Sequence, residues 1–442
     1  MNPPVLSVTG KFILPQGDSL QFSAVTKKLN CLLSLAALDI IYPVPDFHPS
    51  DEAPMTIKSV CIFPCALFLL CLSACSSGGG VTSPGAGTSS ASVTKVDYTA
   101  ARAMNARLGR GINLGNSWDS DGQGINGDDG WSNPIEDSDF VRIKNQGFSS
   151  IRLPIRWNAD ALTEAPYTLD AGRVSGVLED VNLAIASGLI VIIDLHHYDE
   201  LLYALDAVSA STATAADTAA YEAEKTRFAF LWMQISQLFA NYPDNMIVFD
   251  VLNEPQEASF SLLNELNSIA YGQIRTYNPG KTIIFEPVGY AKFFNLRKMV
   301  LPQDGNIIIS GHYYEPYTFT HQGHDSRYPC GGTWTTTAKQ IFVDFKNYAD
   351  SAAKYFPDIN GGRIPLNLGE FGVTGGPNST GCTADSLPSS TERAAWISAV
   401  LTAAEAQGMS SQYWGFSKVG GFEAFDRSTE TWVPAVLQAL QR

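Results

Sequence analysis

Residues 246–256 read MIVFDVLNEPQ, an oily run that ends in Asn253, Glu254 and Pro255. A run without apolar–polar alternation suits a strand buried on both faces, as in a parallel sheet covered by helices. Proline cannot donate to a ladder, so the strand has to stop by Pro255. Glu254 is left at the strand tip, and an unpaired carboxylate is costly to bury. Either it is a solvated loop residue, or it belongs to a constellation gathered from elsewhere in the chain.

The rest of the chain decides between these readings. Short β-rich runs occur at 110–114, 150–155, 190–195, 247–252, 282–285, 307–311, 365–368 and 412–414. Amphipathic or Ala-rich stretches lie between them at 139–146, 171–187, 221–241, 261–277, 292–300, 338–355 and 391–407, and 433–440 closes the chain. A series of eight strands, each followed by a helical piece, is the pattern of a (β/α)8 TIM barrel. An open doubly wound α/β sheet is the alternative, but no Gly-x-Gly-x-x-Gly turn follows the first run. The expected fold is therefore α/β, a (β/α)8 barrel over residues 96–442.

Polar and aromatic residues collect where the runs end: IRLPIRW (151–157), IDLHHYDE (193–200), VLNEPQ (251–256), FEPVGY (285–290), SGHYYEPYTFTHQG (310–323), LGEFG (368–372) and YWGF (413–416). In a barrel these ends converge on one mouth, where active sites of the fold are built. Glu254 then has a partner in Glu370, at the end of the seventh strand. Paired carboxylates cleave glycosidic bonds: one, protonated, assists the leaving oxygen, and the other, ionised, attacks the anomeric carbon. Mutual repulsion and unlike surroundings separate the two pKa values.

From about residue 108 to Trp414 the chain resembles glycoside hydrolase family 5, clan A, in its cellulase-type branch. The residues that carry the resemblance are RGINLGN (110–116), GFSSIRLPIRW (147–157), LHHYDE (195–200), LNEP (252–255), GHYYEP with FTHQG (311–323), LGEFG and YWGF. It implies a retaining mechanism, with Glu254 at the acid/base position and Glu370 at the nucleophile position. It places Arg152 beside the nucleophile, Asn253 at the sugar 2-hydroxyl, His196 in the same subsite, His312 and Tyr314 flanking the two carboxylates, and Trp414 as a stacking platform. Asn116 and His197 are expected at sugar hydroxyls, and His321 at a subsite. Asp119 stands where relatives often carry glutamate, and Trp334 is a candidate leaving-side platform. No cofactor is implied. The expected partner is a β-glucan polysaccharide or oligosaccharide, bound by a monomer.

Other residues admit plainer readings. Adjacent strand residues point to opposite faces, so His196 and His197 are not expected to grip one metal ion. Glu257, Glu286 and Glu315 read as rim residues. Trp118, Trp131 and Trp157 are either platforms or core. Cys330 and Cys382 either form a disulfide or stay as two free thiols. The net charge of −15 argues against nucleic-acid or anionic-membrane surfaces. A mannanase or xylanase would use the same machinery as a β-1,4-glucanase, and a non-catalytic glycan-binding lipoprotein is the rival from another class.

The front of the chain reads separately. MTIKSVCIFPCALFLLCLSAC (55–75) has the Lys58 charge and apolar run of a signal peptide and ends in Leu72-Ser73-Ala74-Cys75, like a bacterial lipobox. A Gly/Ser/Thr-rich linker follows at 76–95. The expectation is that 1–54 is a non-native extension and that Cys75 carries lipid, the only tie to a membrane, giving an exported or cell-surface lipoprotein. Peptide mapping of protein from its host tests this: no peptide from 1–54 and a lipidated Cys75 are expected, and an unmodified Cys75 refutes the anchor.

Overall fold

A computed structural model describes residues 93–441 apart from 121–130, 160, 257–258, 325–326 and 376–381. The segments read as extension, signal and all but the end of the linker, with Cys75, lie outside the described residues, as does Glu257. Eight strands close into one parallel barrel in sequence order: β1 (Arg110–Asn113), β2 (Ser150–Leu153), β3 (Ile190–Asp194), β4 (Ile247–Asp250), β5 (Thr282–Phe285), β6 (Ile307–Tyr313), β7 (Leu366–Phe371) and β8 (Ser410–Tyr413). Closure runs through β1 against β8, with Gly111 opposite Gln412 and Ile112 opposite Tyr413.

Strands β3 to β6 are largely apolar on both faces, as their uninterrupted runs require, whereas β7 and β8 bury Asn367, Ser410 and Gln412, with Asn367 hydrogen-bonded to the other two. Ile192, Val248, Ile284 and Ile308 pack with Ala101, Met104 and Leu108 of α1 (Thr99–Leu108), which seals the end of the barrel where the strands begin. Val191, Ile193, Phe249, Ile283 and Ile309 belong to the larger core under the helices. These are α2 (Asp137–Asn145), α3 (Ala171–Ala186), α4 (Asp199–Ser209), α5 (Ala215–Leu238), α6 (Phe260–Tyr277), the single turn α7 (Tyr317–Thr320), α8 (Ala338–Tyr355), α9 (Ser390–Ala406) and α10 (Pro434–Gln441). Among the described residues no helix is long and apolar enough to cross a membrane.

Several boundaries differ from the sequence reading. Helices α1, α4 and α7 were not foreseen, although Leu201, Leu202 and Leu205 of α4 are buried at helical spacing. Helix α5 starts at Ala215 rather than 221, because Thr214 and Asp217 form a reciprocal capping box there. Residues Phe293–Lys298 are 3₁₀ rather than α. A small hairpin joins Phe425–Asp426 to Thr431–Trp432. Trp118 and Trp157 are core: their indole N–H groups donate to the Asp180 carboxylate and the Asp194 carbonyl.

Two features of the barrel prepare its mouth. Strands β6 and β7 run two to three residues longer than read, and the register between them shifts after Gly311, so that His312 pairs with Glu370. A β-bulge of this kind re-aims side chains. Gly369 is required beside it, since a Cβ there would stand 2.5 Å from Ser310 Oγ and 3.1 Å from His312 Nε2. Further out, Cys330 and Cys382 are disulfide-bonded, with Cα atoms 5.8 Å apart across a sequence separation of 52. The bond ties the loop after β6 to the loop after β7. Closing so long a loop should contribute about 2–4 kcal/mol. Denaturant unfolding of Cys382→Ser is expected to show that loss, and reductant should bring the wild type to the same level while leaving the variant unchanged.

Candidate active site

Arg152, on β2, is fully buried and reaches four carboxylates contributed by other strands or their tips. Its Nε donates to Asp250 Oδ2 at 3.0 Å, Nη2 lies 2.7 Å from Asp194 Oδ2 and 3.4 Å from Glu286 Oε1, and Nη1 donates to Glu370 Oε1 at 2.9 Å. Asn113 Oδ1 and Asn253 Oδ1 accept the remaining N–H groups at 3.2 and 2.8 Å. The guanidinium therefore ties β2 to β1, β3, β4, β5 and β7 at the mouth. Burial disfavours its charge, but the four carboxylates hold it protonated well above the usual value. Burial lifts Asp194 to about 6 although Arg152 pulls it down, and burial with the Glu286 charge raises Asp250 well above the ordinary range.

Glu254 and Glu370 meet around His312. Its Nδ1 stands 2.7 Å from Glu254 Oε1 and 3.6 Å from Glu370 Oε2. One oxygen of each glutamate and one imidazole nitrogen all lie within 4.8 Å of one another. Tyr314 donates its hydroxyl to Glu370 Oε2 at 2.9 Å. Burial alone would raise Glu254, but the hydrogen bond and charge of His312 override it and hold the carboxyl at about 2. Burial together with the Glu254 and Glu286 charges lifts Glu370 to about 7 against His312 and Arg152. Burial disfavours a charged His312, yet the surrounding glutamates keep it protonated well above its usual range. The three groups share their protons, so each value belongs to the cluster.

The presentation of Glu254 differs from the sequence reading. Strand β4 ends at Asp250, well before Pro255, so proline does not terminate the ladder. Glu254 instead adopts a left-handed backbone, φ 47°, with its N–H donated to Glu286 Oε2 at 2.7 Å. Glu286 is accordingly buried and not a rim residue, because its oxygens face an N–H, a guanidinium and an imidazole. Glu315 does lie at the rim, half exposed and paired with Lys292 at 2.7 Å.

The histidine pair also departs from expectation. Strand β3 stops at Asp194, and His197 has φ 48°, so the pair does not alternate across a sheet. The rings lie edge to face, with centroids 4.4 Å apart, and both line the cleft. His196 Nδ1 faces Asp194 Oδ2 at 3.0 Å. Burial and the Arg152 charge hold His196 neutral, and burial with His196 pushes His197 down to about 3. Asp119 sits beneath them, fully buried, its oxygens accepting the Asn116 and Ser117 N–H groups at 3.0 and 2.8 Å. Among the described residues, Asp119–His196–His197 and Glu254–His312–Glu370 are the groups whose ligand atoms approach closely enough to hold a metal. Of these, Asp119, His196, Glu254, His312 and Glu370 already have hydrogen-bond or ionic partners in the protein.

These side chains open onto one cleft of about 1100 Å³. Asn116, His196, His197, Asn253, Glu254, Tyr314, His321, Glu370 and Trp414 all line it. Trp414 lies parallel to His196 with ring centres 5.9 Å apart, and Trp131, exposed, meets His197 edge-on at 5.8 Å. Trp334 is not on the wall; it packs parallel to Phe319 against the core. Tyr290, Lys292, Tyr317, His324, Arg327, Tyr328 and Phe422 line the cleft and were not singled out from sequence. The aromatic spacing in YYEPYTFTHQGH was the available signal for Tyr317 and His324; the loop residues carried none.

Comparison with known proteins agrees with this geometry. Residues 115–419 match the family model for Cellulase (glycosyl hydrolase family 5). Endoglucanase H of Acetivibrio thermocellus is 26% identical over 347 residues, covering 76% of this chain but only 33% of that protein's length. Endoglucanase A of Paenibacillus barcinonensis is 26% identical over 391 residues, covering 79% of this chain and 93% of that protein. A hyperthermophilic endo-β-1,4-glucanase solved with substrate superposes with a TM-score of 0.64 at 32% identity, over 77% of this chain and 99% of that one. Cel5A of Thermotoga maritima, solved with mannotriose, gives 0.64 at 31% identity over the same shares of the two chains.

The dependence on Arg152 is testable. Arg152→Leu leaves four buried carboxylates without their cation, which should cost about 3–5 kcal/mol. Carboxyls whose folded pKa is raised are stabilising only while protonated, and that contribution is lost as pH rises through the folded value. The deficit of the variant is therefore expected to be smallest near pH 4 and to grow through pH 6 and above, as Asp194 (about 6 in the wild type) and its neighbours ionise. Urea unfolding of both proteins across that range measures it; a deficit independent of pH would contradict the assignment.

Proposed function

The chain belongs to glycosyl hydrolase family 5, and from that premise we propose that it hydrolyses internal β-1,4-glucosidic bonds of cellulose or mixed-linkage β-glucan with retention of configuration. The observation that carries the reading is the approach of Glu254 and Glu370 around His312, all within 4.8 Å. Retaining enzymes hold their carboxyl pair about 5–5.5 Å apart, whereas inverting ones need about 6.5–9.5 Å to admit a water.

In this scheme the sugar chain lies across Trp414, and a Glu370 oxygen attacks the anomeric carbon. As the glycosidic C–O bond breaks, Glu254 gives its proton to the leaving oxygen, and a glycosyl ester forms on Glu370. Ionised Glu254 then takes a proton from water, the water oxygen attacks the anomeric carbon, and Glu370 leaves. Arg152 Nη1 and the Tyr314 hydroxyl, at 2.9 Å each, stabilise the Glu370 charge at the start and end. Asn253 has its Oδ1 engaged by Arg152, which leaves its amide N–H₂ to donate to the sugar 2-hydroxyl.

The resting proton distribution places charge on Glu254 and His312 and favours a proton on Glu370. The reactive form is reached when the His312 proton moves to Glu254 across their 2.7 Å bond and Glu370 gives up its own proton to solvent. The first transfer makes Glu254 the acid and removes the charge that repels an ionised Glu370. Neighbouring β-mannan is a second substrate reading, favoured by the mannotriose complex of the Thermotoga maritima protein. A pure binding module would have no use for an acid and a nucleophile held in this arrangement.

Glu370→Ala should lower turnover of cello-oligosaccharides by at least about a thousandfold, since the covalent route is lost. Azide should then restore cleavage of an aryl cellobioside and give the glycosyl azide of inverted configuration. Glu254→Ala should still be glycosylated by a substrate with a good leaving group but deglycosylate slowly, so mass spectrometry should find the adduct on Glu370. Azide should give the retained product with that variant. No adduct and no azide product in either variant would remove the two-glutamate mechanism. Product lengths from glucan, mannan and xylan separate the substrate readings.

A further inference from the structure

Glu286 is a buried carboxylate that the two-glutamate scheme does not use. It follows β5, with Oε2 2.7 Å from the Glu254 N–H and Oε1 3.1 Å from His312 Nε2 and 3.4 Å from Arg152 Nη2. One oxygen thus holds the backbone of the proposed acid, and the other faces the imidazole whose opposite nitrogen bonds that acid. We infer that Glu286 is a positioning residue that keeps a proton on His312 Nε2 and so commits Nδ1 to the proton shared with Glu254.

The reasoning follows from the imidazole's two nitrogens. With Nε2 protonated, a neutral His312 has only Nδ1 left as acceptor, and Nδ1 faces Glu254 at 2.7 Å. Glu254 is then the donor in that bond, which is the form that delivers a proton to the leaving oxygen. The opposite tautomer would point a lone pair at the Glu286 carboxylate and an N–H at Glu254, leaving the acid unprotonated. A carboxylate beside Nε2 disfavours that tautomer by charge. The same residue fixes the left-handed turn at Glu254, φ 47°, a conformation unfavourable for a side chain other than glycine.

His312 is faced by groups from around the mouth: Asp194 and His196 from the end of β3, Glu254 from beyond β4, Glu286 from the end of β5 and Glu370 from β7, while Arg152 of β2 pairs with the same Glu286 and Glu370. Of these, Glu286 is the carboxylate within 3.1 Å of Nε2. Glu286→Gln keeps a group able to accept the Glu254 N–H while removing the charge. The protonated His312–Glu254 pair then loses a close negative neighbour, so its pKa falls.

The inference rests on Glu254 acting as acid/base, and the test separates the two. Full-length wild type, Glu286→Gln, Glu286→Asp and Glu254→Ala are assayed across pH with cellotetraose and with dinitrophenyl cellobioside, whose leaving group needs no proton. In Glu286→Gln the alkaline limb of kcat/KM for cellotetraose should move down by about one pH unit or more. Its rate there should fall about tenfold or more, while the dinitrophenyl burst stays within about twofold of wild type. Glu286→Asp, which keeps the charge, should restore the limb. An unmoved limb with equal losses on both substrates means a structural role and overturns the inference. If Glu254→Ala itself discriminates no leaving groups, the acid/base assignment fails instead. Should the variants not fold, nitrogen NMR of the wild-type His312 decides: Nε2 protonated throughout the active pH range is expected, and loss of that proton before the one on the Glu254 side refutes the proposal.

Discussion

The mouth of this barrel depends on one buried cation. Arg152 has no contact with solvent, and four carboxylates lie within 3.4 Å of its nitrogens. Burying an ion pair is costly, and removing one partner of such a set is costlier still. A cluster of this kind contributes less to stability than to geometry: every strand tip that supplies an acid is pulled to the same point. The Glu370 oxygen bonded to Nη1 is thereby fixed, and Asn253 is oriented through its carbonyl. The negative charge left over makes His312 a cation in spite of its burial.

Glu254 and Glu370 are chemically identical, so the different roles proposed for them have to come from what surrounds them. Glu370 has a guanidinium and a phenol as fixed partners, both suited to a charge that disappears and returns. Glu254 has an imidazole, a group able to give or take a proton near neutrality. In the proposed mechanism the proton for bond cleavage sits in the bond between Glu254 and His312, and the excess of carboxylates keeps it there. Low dielectric strengthens each of these interactions relative to water.

The barrel supplies this arrangement through local departures from regular structure. The register shift after Gly311 and the absence of a side chain at Gly369 put His312 against Glu370. Left-handed backbone recurs among cleft-lining residues, at Asn116, His197, Glu254 and Tyr290. Such conformations cost of order 1–3 kcal/mol each and persist where surrounding bonds hold them. Around Glu254 the holding bonds are visible: Glu286 takes its N–H, and the Pro255 carbonyl accepts the N–H of Tyr290. The loops after β6 and β7 are secured instead by the Cys330–Cys382 bond.

By itself the sequence determined the barrel and the central residues of its mouth. Strands buried on both faces are mostly apolar, so the runs could be counted, and residues of another kind at their ends stood out: Arg152, Asn253, Glu254, His312, Glu370 and Trp414. Turn chemistry and capping were weaker signals, which is why α1 and α4 and the true start of α5 escaped notice. Tertiary structure alone decided how the mouth residues face one another. Period-two alternation misplaced His196 and His197, because the rule holds only inside a strand and β3 ends before them. Glu286 looked like a rim acid because a glutamate after a strand is usually solvated. Its burial depends on an N–H from beyond β4, a guanidinium from β2 and an imidazole from β6, none of them near it in sequence. Periodicity and composition record which side chains a strand can bury; they do not record which charges meet once eight strand tips converge, and that meeting sets the protons.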